Sequence, residues 1–158
     1  MGKIPITRSG FEKLKKELET FKTVLLPENI KDIEIARAHG DLSENAEYTA
    51  AKERQAYIHG KIKEIENNLA LSDIIIPPSA ASDKVIFGLS VCVEDTENGQ
   101  ENKYQLVGPL ESDITENKLS VTSPLGKALI GKKIGDIINV NAPGGLRKYE
   151  IVDILAEY

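Results

Sequence analysis

Asp41 and Glu44 are the two side chains of this sequence whose type and spacing point most directly to chemistry. Mg²⁺ in proteins prefers oxygen ligands and usually takes only one or two carboxylates, with water and substrate phosphates filling the other positions. If a helix begins at Asp41 or just after it, a spacing of three residues places both carboxylates on one side of the first turn. Such a pair is half of a metal site, and a second molecule would have to complete it.

The same spacing also has a purely structural interpretation. Asp41 followed by Glu44 is a capping box, in which the first side chain accepts from a backbone N–H and the second reaches back to the cap. Acidic residues at a helix start are also stabilised by the helix dipole. The spacing alone favours capping, whereas a position at the end of a long helical arm favours a functional role.

Other charged residues surround this acidic pair in the sequence. Glu47 either joins the acidic cluster or is an ordinary solvated glutamate. Arg37, Lys52 and Arg54 are candidates for contact with an RNA phosphate or an acidic channel wall, and the alternative is that they pair with glutamates of the same hairpin. His39 has no cysteine or second histidine at ligand spacing, which favours a solvated or packed histidine.

A pair of long helices is predicted to position these residues. Apolar side chains recur at alternating spacings of three and four along two stretches, which is typical of coiled-coil seams. The first seam comprises Phe11, Leu14, Leu18, Phe21 and Leu25 and resumes at Ile30, Ile33 and Ala36 or Arg37; the second comprises Tyr48, Ala51, Gln55, Ile58, Ile62, Ile65 and Leu69.

The first helix carries local signals for its start, its middle and its end. Thr7 or Ser9 is predicted to cap its N-terminus. Pro27 removes a backbone donor and is expected to bend the helix. Gly40 is suited to the left-handed conformation that commonly ends a helix.

The segment after Gly40 is predicted to turn the chain back on itself. Asp41 or Ser43 is expected to cap the second helix. A short loop between two long amphipathic helices indicates an antiparallel hairpin. Arms of roughly 30 residues would reach about 45 Å, with residues 39–45 at the tip.

The pattern changes to strands after residue 74, which predicts an α+β fold with a mainly antiparallel sheet. Turn signals at Asn98-Gly99 and at Pro143-Gly144, the latter as a type II turn, separate pairs of strands. Strands are predicted at 84–94, 103–107, 118–122, 137–140 and 148–155, with a short helix from Ser123 to Ile130. The predicted organisation is a coiled-coil hairpin at 1–75, a linker at 76–82 and a second domain at 83–158.

Composition argues against several classes of protein. The net charge of −5 is unlike the basic surface that grips nucleic acid, so any action on nucleic acid is expected to go through a protein partner. The single cysteine, Cys92, precludes an intramolecular disulfide and is typical of a reducing cytoplasm. The sequence has no signal peptide, no membrane-spanning stretch, no phosphate loop and no nucleophile elbow, which argues against a membrane protein or a self-contained enzyme.

The tip segment 36–48, ARAHGDLSENAEY, resembles the signature of the GreA/GreB family of transcription elongation factors. The stretch 123–132, SPLGKALIGK, and the segment 142–145, APGG, resemble the same family. The start of the chain at 4–7 and the segment 149–151 fit as well, so the resemblance covers almost the whole sequence in the right order.

This resemblance implies an N-terminal antiparallel coiled coil and a C-terminal domain with an FKBP-like fold. It implies that the globular domain docks on bacterial RNA polymerase near the rim of the secondary channel, and that the coiled coil carries its tip to the active site. There a backtracked complex has extruded the RNA 3′ end. Asp41 and Glu44 would help to hold a second Mg²⁺, bound only within the polymerase, and to orient the attacking water. The chain would then be an accessory factor in the cytoplasm and not an enzyme.

Three alternatives remain beside this interpretation. The first is an inhibitory relative that enters the same channel, although both tip acids of the cleaving members are present here. The second is a peptidyl-prolyl isomerase, although the second half has few aromatic residues and no Trp. The third is an adaptor that uses the coiled coil only for binding. Within the family, a hairpin without a large basic run favours the GreA-like type, and we expect a monomer.

Overall fold

The chain forms two compact units in the computed structural model, which describes residues 3–41, 45–78 and 83–156. Residues 11–72 form one unit, and residues 1–10 join 73–158 in the other. The predicted linker at 76–82 falls partly outside the described residues, so the domain bounds 1–75 and 83–158 stay a prediction. None of the helices among the described residues is long and apolar enough to cross a membrane.

The first unit consists of the predicted helical hairpin. Its second arm is a single helix of 26 residues, which corresponds to a length of about 39 Å. The helices are α1 at Arg8–Thr20, α2 at Leu26–Arg37 and α3 at Ala46–Leu71, with a π-helical turn at Phe21–Leu25 between the first two. Thr7 caps α1 as predicted, because its Oγ1 accepts a hydrogen bond of 3.1 Å from the Gly10 N–H.

The π-helical turn lies immediately before Pro27, which occupies the first turn of α2. Proline has no N–H to donate and its ring crowds the carbonyl one turn earlier. A π turn is wider than an α turn and contains one additional residue. The irregularity predicted for Pro27 is therefore found in the turn that precedes it.

The extra residue of the π turn shifts the first seam by one position. Before the turn the seam is confirmed, since Leu14 and Leu18 pack against the buried Phe21 and the α3 side chains. Beyond it, the prediction of Ile30 is wrong: Ile30 is 45 % exposed, and the buried position belongs to Asn29. The second seam is confirmed, with Ala51, Ile58 and Ile65 buried and Tyr48, Gln55, Ile62 and Leu69 half-buried.

Asn29 is a polar side chain inside the apolar seam, with an exposed fraction of only 1 %. Its Nδ2 donates to the Ala51 carbonyl across the hairpin at 2.9 Å. Its Oδ1 has no hydrogen-bond partner among the described residues. A single buried amide of this kind fixes the register of two helices at a cost in stability.

The second unit is built on a five-stranded sheet. Its strands are β3 at Ser90–Asp95, β4 at Glu101–Val107, β5 at Lys118–Ser120, β6 at Ile137–Ala142 and β7 at Gly145–Leu155, with the short helix α4 at Pro124–Leu129. The strand order is β5-β4-β3-β7-β6, and the sheet is mainly antiparallel as predicted, with β4 and β5 as a parallel pair. A separate two-stranded sheet pairs β1 at Ile4–Ile6 with β2 at Ser72–Ile74.

Local sequence patterns predicted most helices and strands of this unit, and the structure corrects two of these predictions. Ser123 caps α4 as predicted, since its Oγ accepts from the Gly126 N–H at 3.1 Å. The predicted strand at 84–94 is too long, because the strand begins only at Ser90. The type II assignment is wrong as well, since the positive φ of +119° belongs to Gly145 and not to Gly144.

The core of the second unit is aliphatic. It comprises Val85, Leu89, Val91, Val93, Leu106, Leu119, Leu129, Ile138, Ile151 and Ile154. Cys92 lies between the buried Val91 and Val93 and is itself half-buried, because successive side chains of a strand point to opposite faces.

The carboxylate of Glu111 ties the N-terminal segment to this unit. It accepts hydrogen bonds from the Thr7 N–H at 2.7 Å and the Gly108 N–H at 3.1 Å, and a further one from the Thr7 hydroxyl. Gly108 is required at its position, since a Cβ there would overlap the carbonyl oxygen of Pro5.

Replacing Asn29 with leucine should raise the free energy of unfolding of the hairpin by about 1 kcal/mol, because it removes a buried, unpaired acceptor. Urea titration followed by the circular dichroism of the helices measures the change. Asn67→Leu is the matched control on the exposed surface of α3, where we expect a change within about 0.5 kcal/mol. A loss of stability in Asn29→Leu would contradict the prediction.

Gly108→Ala should destabilise the second unit by about 1–3 kcal/mol, because the new methyl group must displace the backbone of Pro5. Gly144→Ala is the matched control. It has ordinary backbone geometry, and a Cβ added there would meet no atom within 4 Å, so its stability should stay level or rise slightly. Thermal melting of both variants tests the pair, and equal melting temperatures would refute the steric argument.

Candidate functional site at the hairpin tip

Helix α2, which leads to the tip, ends in a tightened last turn. The Ala38 N–H donates to the carbonyls of Glu34 and Ile35, both at 3.2 Å, and the His39 N–H donates to the Ala36 carbonyl at 3.1 Å. Gly40 then takes a positive φ of +109°. Since few other residues adopt that conformation, Gly40 ends this arm as predicted.

The second helix begins later than the sequence pattern indicated. α3 starts at Ala46 and its N-cap is Asn45, whose Oδ1 accepts from the Tyr48 N–H at 3.1 Å. The prediction that Asp41 or Ser43 caps this helix is therefore wrong. Asp41 lies before the helix and outside its first turn, which also removes the capping-box interpretation of its carboxylate.

Asn45 also contacts the first arm of the hairpin. Its Nδ2 donates to the Ala36 carbonyl at 2.7 Å, which also accepts from the His39 N–H at 3.1 Å. The same amide therefore caps the start of one helix and contacts the last turn of the other. The sequence did contain a signal for this residue, since asparagine ranks with aspartate and serine as an N-cap.

Only one of the two predicted metal ligands, Asp41, lies among the described residues. Asp41 is exposed at the tip. Glu44 lies outside the described residues, so the Asp41–Glu44 pair as Mg²⁺ ligands stays a prediction. No three or more His, Cys, Asp and Glu side chains within the described ranges are grouped closely enough to hold a metal ion. Asp41 offers the hard oxygen donor that Mg²⁺ prefers.

The Glu47 carboxylate contacts the His39 imidazole across the tip loop. Its Oε2 lies 3.0 Å from Nδ1 of His39, and the two side chains are 70 % and 55 % exposed. Ion pairs this exposed contribute little to stability, because water and salt screen them. The contact nonetheless links the first turn of α3 to the segment that follows α2.

The three basic candidates near the tip are all exposed. Arg37 is the last residue of α2, whereas Lys52 and Arg54 lie on α3. Lys52 Nζ donates to Gln55 Oε1 at 3.1 Å. Within residues 3–41, 45–78 and 83–156, no carboxylate lies at ion-pair distance from any of the three. Their contact with RNA or with a channel wall stays a prediction.

One cavity of the second unit bears on the prolyl-isomerase alternative, which requires a pocket lined by aromatic side chains. A cavity of about 290 Å³ is lined by residues 7–9, 75–77 and Gln105, and none of these is aromatic. Tyr104 and Tyr149 pack against the core of the sheet instead. Burial raises the pKa of the Tyr104 phenol, and the neighbouring Tyr149 adds to the effect.

Comparison with known proteins places both halves of the chain in one family. Residues 4–74 match the family model described as "Transcription elongation factor, N-terminal", and residues 80–156 match "Transcription elongation factor, GreA/GreB, C-term". The chain is 64 % identical to transcription elongation factor GreA of Syntrophus aciditrophicus (strain SB), covering 98 % of this chain and 96 % of that protein.

Two further similarities extend the comparison. Transcription elongation factor GreA of Anaeromyxobacter sp. (strain K) is 47 % identical over 98 % of this chain and 93 % of its own length. Among solved structures, GreA factor homolog 1 (Gfh1) of Thermus thermophilus is 30 % identical, with 96 % and 98 % of the two chains covered and a TM-score of 0.43. The two family models together span nearly the whole sequence, and the chain therefore belongs to the GreA/GreB family of transcription elongation factors.

Proposed function

We propose that this protein rescues backtracked or arrested bacterial RNA polymerase by stimulating the polymerase to cleave the 3′ end of its own transcript. The observation that carries the proposal is the exposed carboxylate of Asp41 in the loop that joins the two arms of the hairpin. Membership of the GreA/GreB family supplies the context in which such a tip acts on transcription elongation.

In this proposal the C-terminal unit binds polymerase near the rim of its secondary channel, and the hairpin enters the channel. A helix of 26 residues gives the second arm a length of about 39 Å. Two-metal hydrolysis of a phosphodiester uses one ion to activate water and the other to stabilise the leaving oxygen. Asp41 and Glu44 would hold the second Mg²⁺ and orient the water, while Arg37, Lys52 and Arg54 face RNA phosphates or the channel wall.

The carboxylates of this tip suit an accessory role because they do not complete a metal site alone. Mg²⁺ keeps several waters and substrate phosphates in its shell when a protein offers only one or two carboxylates. The polymerase and its extruded RNA would supply the remaining ligands. Each catalytic group is then present only in the assembled complex, which restricts cleavage to polymerases that have backtracked.

Neutralising the tip acids should abolish stimulation while leaving the fold intact. We expect Asp41→Asn/Glu44→Gln to slow cleavage of end-labelled RNA in a backtracked bacterial polymerase complex by roughly 10²-fold or more, the scale of losing a group that stabilises transition-state charge. Asp32→Asn removes an exposed carboxylate from α2 away from the tip and should leave the rate unchanged.

The outcomes of this assay separate the proposal from its rivals. Rapid shortening of RNA by the unaltered protein, lost in the double variant, supports the cleavage function. If the unaltered protein binds and slows polymerase without shortening RNA, it is an inhibitory relative. If it does not bind polymerase at all, the adaptor interpretation replaces the proposal.

The free protein should bind Mg²⁺ weakly and should not cleave RNA. With one or two carboxylates as its only contribution, affinity in the absence of polymerase is expected to fall in the millimolar range or weaker, near the weak end of protein Ca²⁺ and Mg²⁺ sites. Calorimetric titration of Mg²⁺ and incubation with labelled RNA test both statements. An RNase activity of the isolated protein that disappears in Asp41→Asn would contradict them.

A further inference from the structure

We propose that Asn45 is a positioning residue for transcript cleavage: its amide fixes both ends of the tip loop and thereby sets where the Asp41 carboxylate lies. The inference rests on the proposed function, since it concerns how the tip acids are presented. The proposed function depends on the tip acids. The inference adds Asn45 as a residue that acts through those acids and is not itself a ligand of RNA or metal.

The geometry of the amide is the first argument. Nδ2 donates to the Ala36 carbonyl at 2.7 Å, and Oδ1 accepts from the Tyr48 N–H at 3.1 Å. Ala36 lies at the end of α2 and Tyr48 in the first turn of α3. The loop that contains Asp41 therefore starts and ends at residues joined through one side chain.

The chemistry of the residue is the second argument, because this double contact requires a donor and an acceptor on one short side chain. Among short N-cap residues, asparagine alone has an amide that provides both on separate atoms. Aspartate keeps the acceptor for Tyr48 but turns an acceptor oxygen toward the Ala36 carbonyl. Serine keeps a capping oxygen but lacks the second polar atom.

The surroundings of the contact are the third argument. Asn45 is half-buried, and Ala36 is buried with an exposed fraction of 2 %, so water competes little for this hydrogen bond. A second cross-loop contact among the described residues, between His39 and Glu47, is exposed and is screened by solvent and salt. The Asn45 amide is accordingly the firmer of these two contacts.

Positioning has a large effect on rate in reactions of this kind. A misplacement of about 1 Å in a catalytic group can cost about 10²-fold. Loss of the Asn45–Ala36 bond should therefore lower the cleavage rate at saturating factor, whereas affinity for polymerase, which resides elsewhere in the chain, should not change. Looser carboxylates should also require more Mg²⁺ for half-maximal rate.

The experiment compares Asn45→Asp and Asn45→Ser with the unaltered protein in backtracked bacterial polymerase complexes. Cleavage rates are measured over a range of factor and of Mg²⁺ concentrations. Both variants retain an N-cap, so circular dichroism should show the helical content unchanged. The matched control is Asn67→Asp, which adds the same charge to an exposed position of α3 far from the tip.

We expect both Asn45 variants to lose about tenfold or more in saturated rate, the scale of removing a group that orients a metal ligand. Their half-saturating factor concentration should match that of the unaltered protein, and Asn67→Asp should be fully active. Partial recovery at high Mg²⁺ would further support positioning.

Three results would overturn the inference. Unchanged saturated rates in Asn45→Asp and Asn45→Ser would leave Asn45 as a cap without a role in cleavage. A deficit that additional factor removes would assign Asn45 to polymerase binding. Failure of the unaltered protein to shorten RNA would instead refute the proposed function, and the inference would fall with it.

Discussion

Two helices that share one apolar seam have little else to hold them together, and this constraint shapes the hairpin from end to end. At the middle of the arms the seam is filled by large side chains such as Phe21, Ile58 and Ile65. Toward the tip the buried apolar positions are Ile33, Ala36 and Ala51, and the two alanines contribute less apolar area. Side-chain hydrogen bonds also cross the hairpin there, at Asn29 and at Asn45.

Much of the fold could be predicted because helical period, caps and turns are local properties of the sequence. The second seam, Thr7 as a cap and Ser123 as a cap depend on residues within a few positions of each other. Beyond Leu25 the predictions of Ile33 and Ala36 are confirmed, but Asn29 in place of Ile30 could not be predicted, since apolar spacing carries no signal for a π turn that adds one residue. The strand proposed for 84–89 failed for another reason: Val85 and Leu89 are buried, but an apolar run indicates burial and not hydrogen bonding to a neighbouring strand.

The candidate site was predicted in part. The tip and the end of the first arm at Gly40 followed from the seams and from glycine. The cap of the second helix did not, because Asp41, Ser43 and Asn45 are all good capping residues and local propensity does not rank them. What favours Asn45 is a hydrogen bond to a carbonyl nine residues earlier, a tertiary contact that no local pattern encodes.

The π turn at Phe21–Leu25 has a consequence for how such a hairpin can change over evolutionary time. A regular two-helix seam tolerates no single-residue insertion, since one extra residue rotates every later side chain by about 100° away from its partner. A π turn confines that rotation to a few residues, and the seam resumes at Asn29 and Ile33. One arm can therefore gain a residue without a matching gain in the other. The number of residues in an arm can then change in evolution without changing the length of the hairpin.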